Sequence, residues 1–97
     1  MEAEALIDAL EEAGCEACAY SGRFMYGAEC VAIRTDHLYR DIAAIAVTLS
    51  AREVDGNEII DLFGGLRSDQ LGLSTIAYFP HVAWPVEQVE EIEQPGG

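Results

Sequence analysis

Apolar residues recur along this chain with two different periods, and each switch of period marks an element. From Glu2 to Ala13 the apolar positions Ala3, Leu6, Leu10 and Ala13 fall at helical spacing, with Glu4, Asp8, Glu11 and Glu12 on the other side. Gly14 stands where such a helix takes its C-terminal cap. The spacing then changes. Cys15 to Ser21 and Glu29 to Arg34 read as two strands joined by a glycine-bounded loop, which predicts a hairpin. Val31 and Ile33 alternate with Cys30, Ala32 and Arg34, the pattern of a sheet with one buried face. Helical spacing returns after Thr35 or Asp36, either of which can cap a helix reaching about Leu49. Leu38, Ile42, Ile45, Ala46 and Leu49 form its stripe, and Ala43, Ala44 and Val47 widen it. This predicts a central buried helix.

Ser50 to Gly56 is a polar connection. Asn57 can cap a short third helix, Glu58 to Phe63, closed by Gly64 and Gly65. Leu73 to Phe79 reads as a third strand, ended by Pro80. His81 to Trp84 reads as a turn, and Pro85 suits the first position of a last helix, Val86 to Glu93. The predicted order is α-β-β-α-α-β-α: an α+β sandwich of about three antiparallel or mixed strands packed by helices. Residues 1–94 form a single domain, and residues 95–97 form a tail.

Composition narrows the partners. The chain has 97 residues, 51% of them hydrophobic, enough to build a core and to argue against disorder. Eighteen acidic residues face five basic ones, all arginine, for a formal charge of -13. Such a chain repels nucleic acid and anionic membranes and attracts positively charged partners. The longest uncharged apolar stretch, Ile42 to Ala51, is too short to span a bilayer. The first residues are acidic where a secretory signal would be basic, and three cysteines do not make a disulfide framework. The expected compartment is the cytoplasm.

Candidate chemistry lies mainly in the acids. Glu4, Asp8, Glu11 and Glu12 share one face of the first helix, and Glu87, Glu90, Glu91 and Gln94 share one face of the last. Carboxylates one helical turn apart are separated by about 5–6 Å, near the spacing of successive phosphates on a DNA strand. Two such faces could imitate a phosphate backbone; the alternative is a solvated face that keeps a small protein soluble. The loop carries Arg23, Phe24, Met25 and Tyr26, either an apolar anchor for a partner or a lid on the core. Trp84, between prolines, is either an interface residue or the pin that holds the last helix on the sheet.

Other chemistries are weaker in the sequence. Cys15, Cys18, Cys30 and His37 could hold zinc. In a strand, however, Cys15 and Cys18 point to opposite faces, so buried small apolar side chains are the favoured reading. Asp36, His37 and Asp41 cluster at a helix start and His81 lies in a turn. No nucleophile elbow, HExxH or phosphate loop accompanies them, so no enzyme, cofactor or metal is expected. The terminal Gly96-Gly97 resembles the end of ubiquitin-like sulfur carriers, whose fold begins with a hairpin where this chain begins with a helix. In size and charge the chain resembles bacteriophage anti-defence proteins, including anti-CRISPR proteins. That resemblance implies a non-enzymatic inhibitor acting in a host cytoplasm. It would mask a basic, nucleic-acid-binding surface of a partner protein through acids and an aromatic loop. The rival expectation is a self-associating structural or adaptor module, such as a homodimer, whose charge only provides solubility.

Overall fold

The computed structural model describes residues 1–22 and 29–85. Seven elements follow one another: α1 (Ala3–Glu12), β1 (Ala17–Tyr20), β2 (Cys30–Thr35), α2 (Leu38–Ala51), α3 (Gly56–Gly64), β3 (Arg67–Leu71) and β4 (Ser74–Ala83). The strands form one antiparallel sheet in the order β1-β2-β4-β3, and the helices pack on one side of it. The α+β class holds, but the sheet has four strands where the sequence predicts three. The extra strand is β3, Arg-Ser-Asp-Gln-Leu, which has no apolar alternation because it is an edge. It returns through Gly72, whose φ of +65° is what the first central position of a type II′ hairpin turn requires. The expected last helix, Val86 to Glu93, lies outside the described residues.

The helix side of the sheet holds the main core. Val31, Ile33, Ala77 and Phe79 meet Leu6, Ala9 and Leu10 of α1 and Ile45 and Leu49 of α2. Phe63 of α3 lies 6.3 Å from Phe79, ring centre to ring centre. Gly14 follows α1 with φ +93°, the left-handed geometry expected of a helix stop. The helix expected to be buried all along its widened stripe is only half buried. Ala43 and Val47 of α2 face outward, because the sheet covers one side of α2 and nothing described covers the other.

The second face of the sheet corrects the expectation of one buried face. Cys30, Ala32, Ile76 and Tyr78 are buried there, with Cys18 and Tyr20 packed against them. Tyr20 extends from β1 across the face. Its ring lies 5.0 Å from that of Tyr78, and its hydroxyl donates to Asp69 on β3 at 2.5 Å. Two strands stand between β1 and β3. Small side chains at Cys30 and Ala32 leave room for that crossing. At Gly22 a Cβ would stand 2.8 Å from the Tyr78 ring, so only glycine lets the chain pass there.

Pro80 does not end its strand. The first residue of β3, Arg67, pairs with Tyr78, so Pro80 lies beyond that ladder. On the other side the register slips between Cys30 and Val31, whose partners are Ala83 and Phe79. Pro80 therefore sits where no ladder bond is lost, and β4 continues to Ala83. The caps also differ from expectation. Thr35 is the last residue of β2 and Asp36 lies in the bend after it, and α2 is capped by His37 without a side-chain bond. The Thr35 hydroxyl accepts from the His37 N–H and donates to Asp41, tying the strand end to the first turn of α2. In α3 the cap is Asp55, which accepts from the Asn57 N–H at 3.1 Å, because the helix starts at Gly56.

Candidate partner-binding surface

The apolar stripe of α1 turns Leu6, Ala9 and Leu10 into the core, which leaves Glu4, Asp8, Glu11 and Glu12 outside and exposed. These carboxylates are not equivalent. Arg52, at the end of α2, donates to Glu12 from Nε at 2.8 Å and from Nη2 at 2.5 Å. Both donors meet the same oxygen, Oε1, so Glu12 already has an exposed cationic partner. Glu4, Asp8 and Glu11 remain at i, i+4 and i+7 along one side of the helix.

The structure adds acids that the sequence reading leaves aside. Glu58 and Asp61 are exposed on α3. Glu2 and Glu4 line a cleft of about 630 Å3 together with Glu58, His81 and Val82. A second cleft of about 330 Å3, lined by Glu58, Asp61, Leu62 and His81, shares Met1, Glu58, His81 and Val82 with the first. The α-ammonium of Met1 lies 3.2 Å from Glu58 Oε2, so Glu58, like Glu12, already has a cationic partner and a competing cation must displace it. His81 is held close to the end of α3, where a Cβ on Gly65 would come within 3.1 Å of its ring. The acidic ends of α1 and α3 thus border one recess with apolar side chains at its base. Glu58 and Asp61 stand at i and i+3, visible in the sequence. Their closeness to α1 depends on how the helices lie on the sheet, which spacing does not reveal.

The remaining predicted residues divide by place. Arg23, Phe24, Met25, Tyr26, Glu87, Glu90 and Glu91 lie outside the described residues, as does the terminal Gly-Gly. Trp84 is half-buried against the core, and its backbone N–H donates to the Glu29 carbonyl at 3.0 Å. Asp41 accepts from Thr35 and Asp36 accepts from the Ser74 hydroxyl at 3.4 Å, so both tie local structure together. His37 is exposed.

The cysteines are divided by the sheet. Cys15 belongs to the helix-side core, whereas Cys18 and Cys30 lie on the opposite face. Burial raises all three thiols above their ordinary range. Asp41 adds to the effect at Cys15, and Arg34 opposes it at Cys18. Cys30 also donates to the Tyr20 carbonyl at 3.4 Å. Thiolate is the form that binds metals and attacks electrophiles, and these surroundings disfavour it at neutral pH. Among the described residues, no three histidine, cysteine or acidic side chains are grouped to hold a metal ion. No helix among them is long and apolar enough to cross a membrane. The chain matches no protein-family model, no curated protein and no solved structure.

Proposed function

We propose that this protein is a small acidic, non-enzymatic binding protein of the cytoplasm that occupies a basic, nucleic-acid-binding surface on a partner protein. The observation that supports this reading is the recess where exposed acids of α1 and α3 converge, in a chain of formal charge -13. Glu4, Asp8 and Glu11 offer carboxylates in a line along α1, with Glu2 and Glu58 beside Glu4 at the recess and Asp61 in the adjoining cleft. Lysine and arginine side chains that normally hold phosphates would meet these carboxylates, with Leu62 and Val82 receiving their aliphatic stems. Inhibition follows by competition: the partner's groove cannot hold both nucleic acid and this surface. Long-range attraction speeds the encounter and is screened by salt.

The test is capture of partners from a bacterial lysate on the immobilised protein, washed in steps of rising salt, followed by binding measurements with the recovered protein. The expected result is a nucleic-acid-binding protein released at moderate salt. Its affinity should fall by at least about tenfold when Glu4, Asp8 and Glu58 are all changed to Lys. Binding that ignores both salt and these three reversals would overturn the reading.

A further inference from the structure

We propose that Cys18 and Cys30 form a two-coordinate site for a soft monovalent metal ion, copper(I). The strand register brings the two thiols together. Cys18 of β1 pairs with Ala32 and Tyr20 pairs with Cys30, so the cysteines are diagonal neighbours across one antiparallel pair. Both side chains lie in the cluster on the sheet face away from the helices. The right-handed twist of paired strands shortens one diagonal of each such square. It is the one from the first strand to the residue nearer the connection on the second, and Cys18 to Cys30 is that diagonal. The electrostatic influence of Cys18 on the Cys30 thiol agrees with this approach. Cys15 is set apart on the helix side.

Spacing and ligand number select the ion. A disulfide needs Cβ atoms about 3.5–4.5 Å apart, whereas diagonal residues have Cα atoms about 7–8 Å apart and Cβ atoms only somewhat closer. Two metal–sulfur bonds in line, each about 2.3 Å, hold the sulfurs about 4.6 Å apart, a span that suits diagonal side chains. Zinc needs four ligands, and among the described residues no third histidine, cysteine or acid is grouped with these two. Copper(I) is soft, selects thiolate sulfur and is satisfied by two ligands in line. Binding breaks two S–H bonds and forms two S–Cu bonds. Two protons pass to solvent, copper stays monovalent, and the site gains one negative charge. A coordinating thiol is deprotonated outright by its metal, so burial that favours the neutral thiols does not bar the site. At Cys18 burial disfavours the thiolate, the charge of Arg34 favours it, and Glu16 opposes it more weakly. Strand alternation places Arg34 on the same sheet face as Cys30, where it offsets the added negative charge. Entry is by way of Cys18, which is half-buried and lines a cleft of about 420 Å3 with Glu16, Arg34 and Ser74. Cys30 is fully buried and exchanges its bond to the Tyr20 carbonyl for the metal.

Titration of the reduced full chain with copper(I), without oxygen and against bicinchoninate as a coloured competitor, tests the site. The expected result is one ion bound per chain, with two sulfur neighbours by X-ray absorption. Cys18→Ser, at a half-buried position, should weaken binding by at least about a hundredfold, since loss of an outer-shell partner alone costs about 10–100-fold. Cys30→Ala should do the same in protein whose circular dichroism matches wild type. Cys15→Ala removes the thiol on the other side of the sheet and should leave copper binding unchanged. No uptake against the competitor, uptake that survives Cys18→Ser, or uptake that requires Cys15 sinks the proposal. The acidic recess contains none of these cysteines, so failure here leaves the reading of the basic partner as it stands.

Discussion

Asp69 is the residue on which the far face of the sheet converges. It belongs to an edge strand, yet Tyr20 reaches it from the opposite edge and Tyr78 sits beside it. Hydrogen bonds to a charged acceptor contribute about 1.5–3 kcal/mol when made in a sheltered site. Tyr20→Phe is therefore expected to lower unfolding free energy by about that amount, read from urea denaturation, with the lower end favoured because the site is only part-buried. The same cluster sets a pH response. Burial first, and then the negative charge of Asp69, push Tyr78 above its ordinary value near 10. Burial pushes the three thiols up as well. In each case the folded chain holds its proton more tightly than the unfolded chain does. Stability is then fully present below about pH 8.5, where both states are protonated, and falls as pH rises above it. A thermal unfolding series from neutral to alkaline pH should show this decline, and Tyr78→Phe should make it shallower above about pH 10. None of this is legible in the sequence. Tyr20 and Asp69 are far apart in the chain, and only the strand order brings them to one face.

At the scale of elements, the chain declares its helices better than its strands. The stripe of α1 and the glycine that stops it are found where the spacing places them, because a helix is set by residues three and four apart. Strands depend on partners. β3 is polar and exposed, so its only mark in the sequence is that Gly72-Leu73 can turn it back onto β4. Pro80 reads locally as a strand end. It is tolerated within β4 because pairing with β3 ends at Tyr78 and the register with β2 slips, facts that belong to two other strands. The acidic faces divide in the same way. Glu4, Asp8 and Glu11 are visible as one side of a helix, but the loss of Glu12 to Arg52 and the addition of Glu58 and Asp61 follow from packing. The start of α3 offers a direct check. Asp55→Ala removes the side chain that holds the Asn57 N–H and is expected to cost about 0.5–2 kcal/mol in urea denaturation. Asn57→Ala should cost less, since its side chain is not the cap. At the end of α1, Gly14→Ala meets no neighbour within 4 Å, so any loss there, about 1 kcal/mol, comes from its positive φ alone.

The whole molecule is governed by its excess of negative charge, which acts on two equilibria with opposite signs. Folding gathers the carboxylates into a smaller volume, so the native state of a -13 chain is opposed by its own field. Folding should therefore strengthen as salt shortens the Debye length from about 30 Å to a few ångströms. Binding to a basic partner joins opposite charges, and screening should weaken it over the same range. The melting temperature of the isolated chain is therefore expected to rise with sodium chloride while affinity for the partner falls, measured by calorimetry and by equilibrium binding in the same buffers. Arg52 sharpens the comparison. Its pair with Glu12 is exposed and contributes little to stability, on the order of 0–1 kcal/mol. Arg52→Ala releases Glu12 to the acidic face and makes the net charge more negative. It should lower the melting temperature slightly at low salt and tighten the partner complex, an outcome that a surface charged only for solubility would not produce.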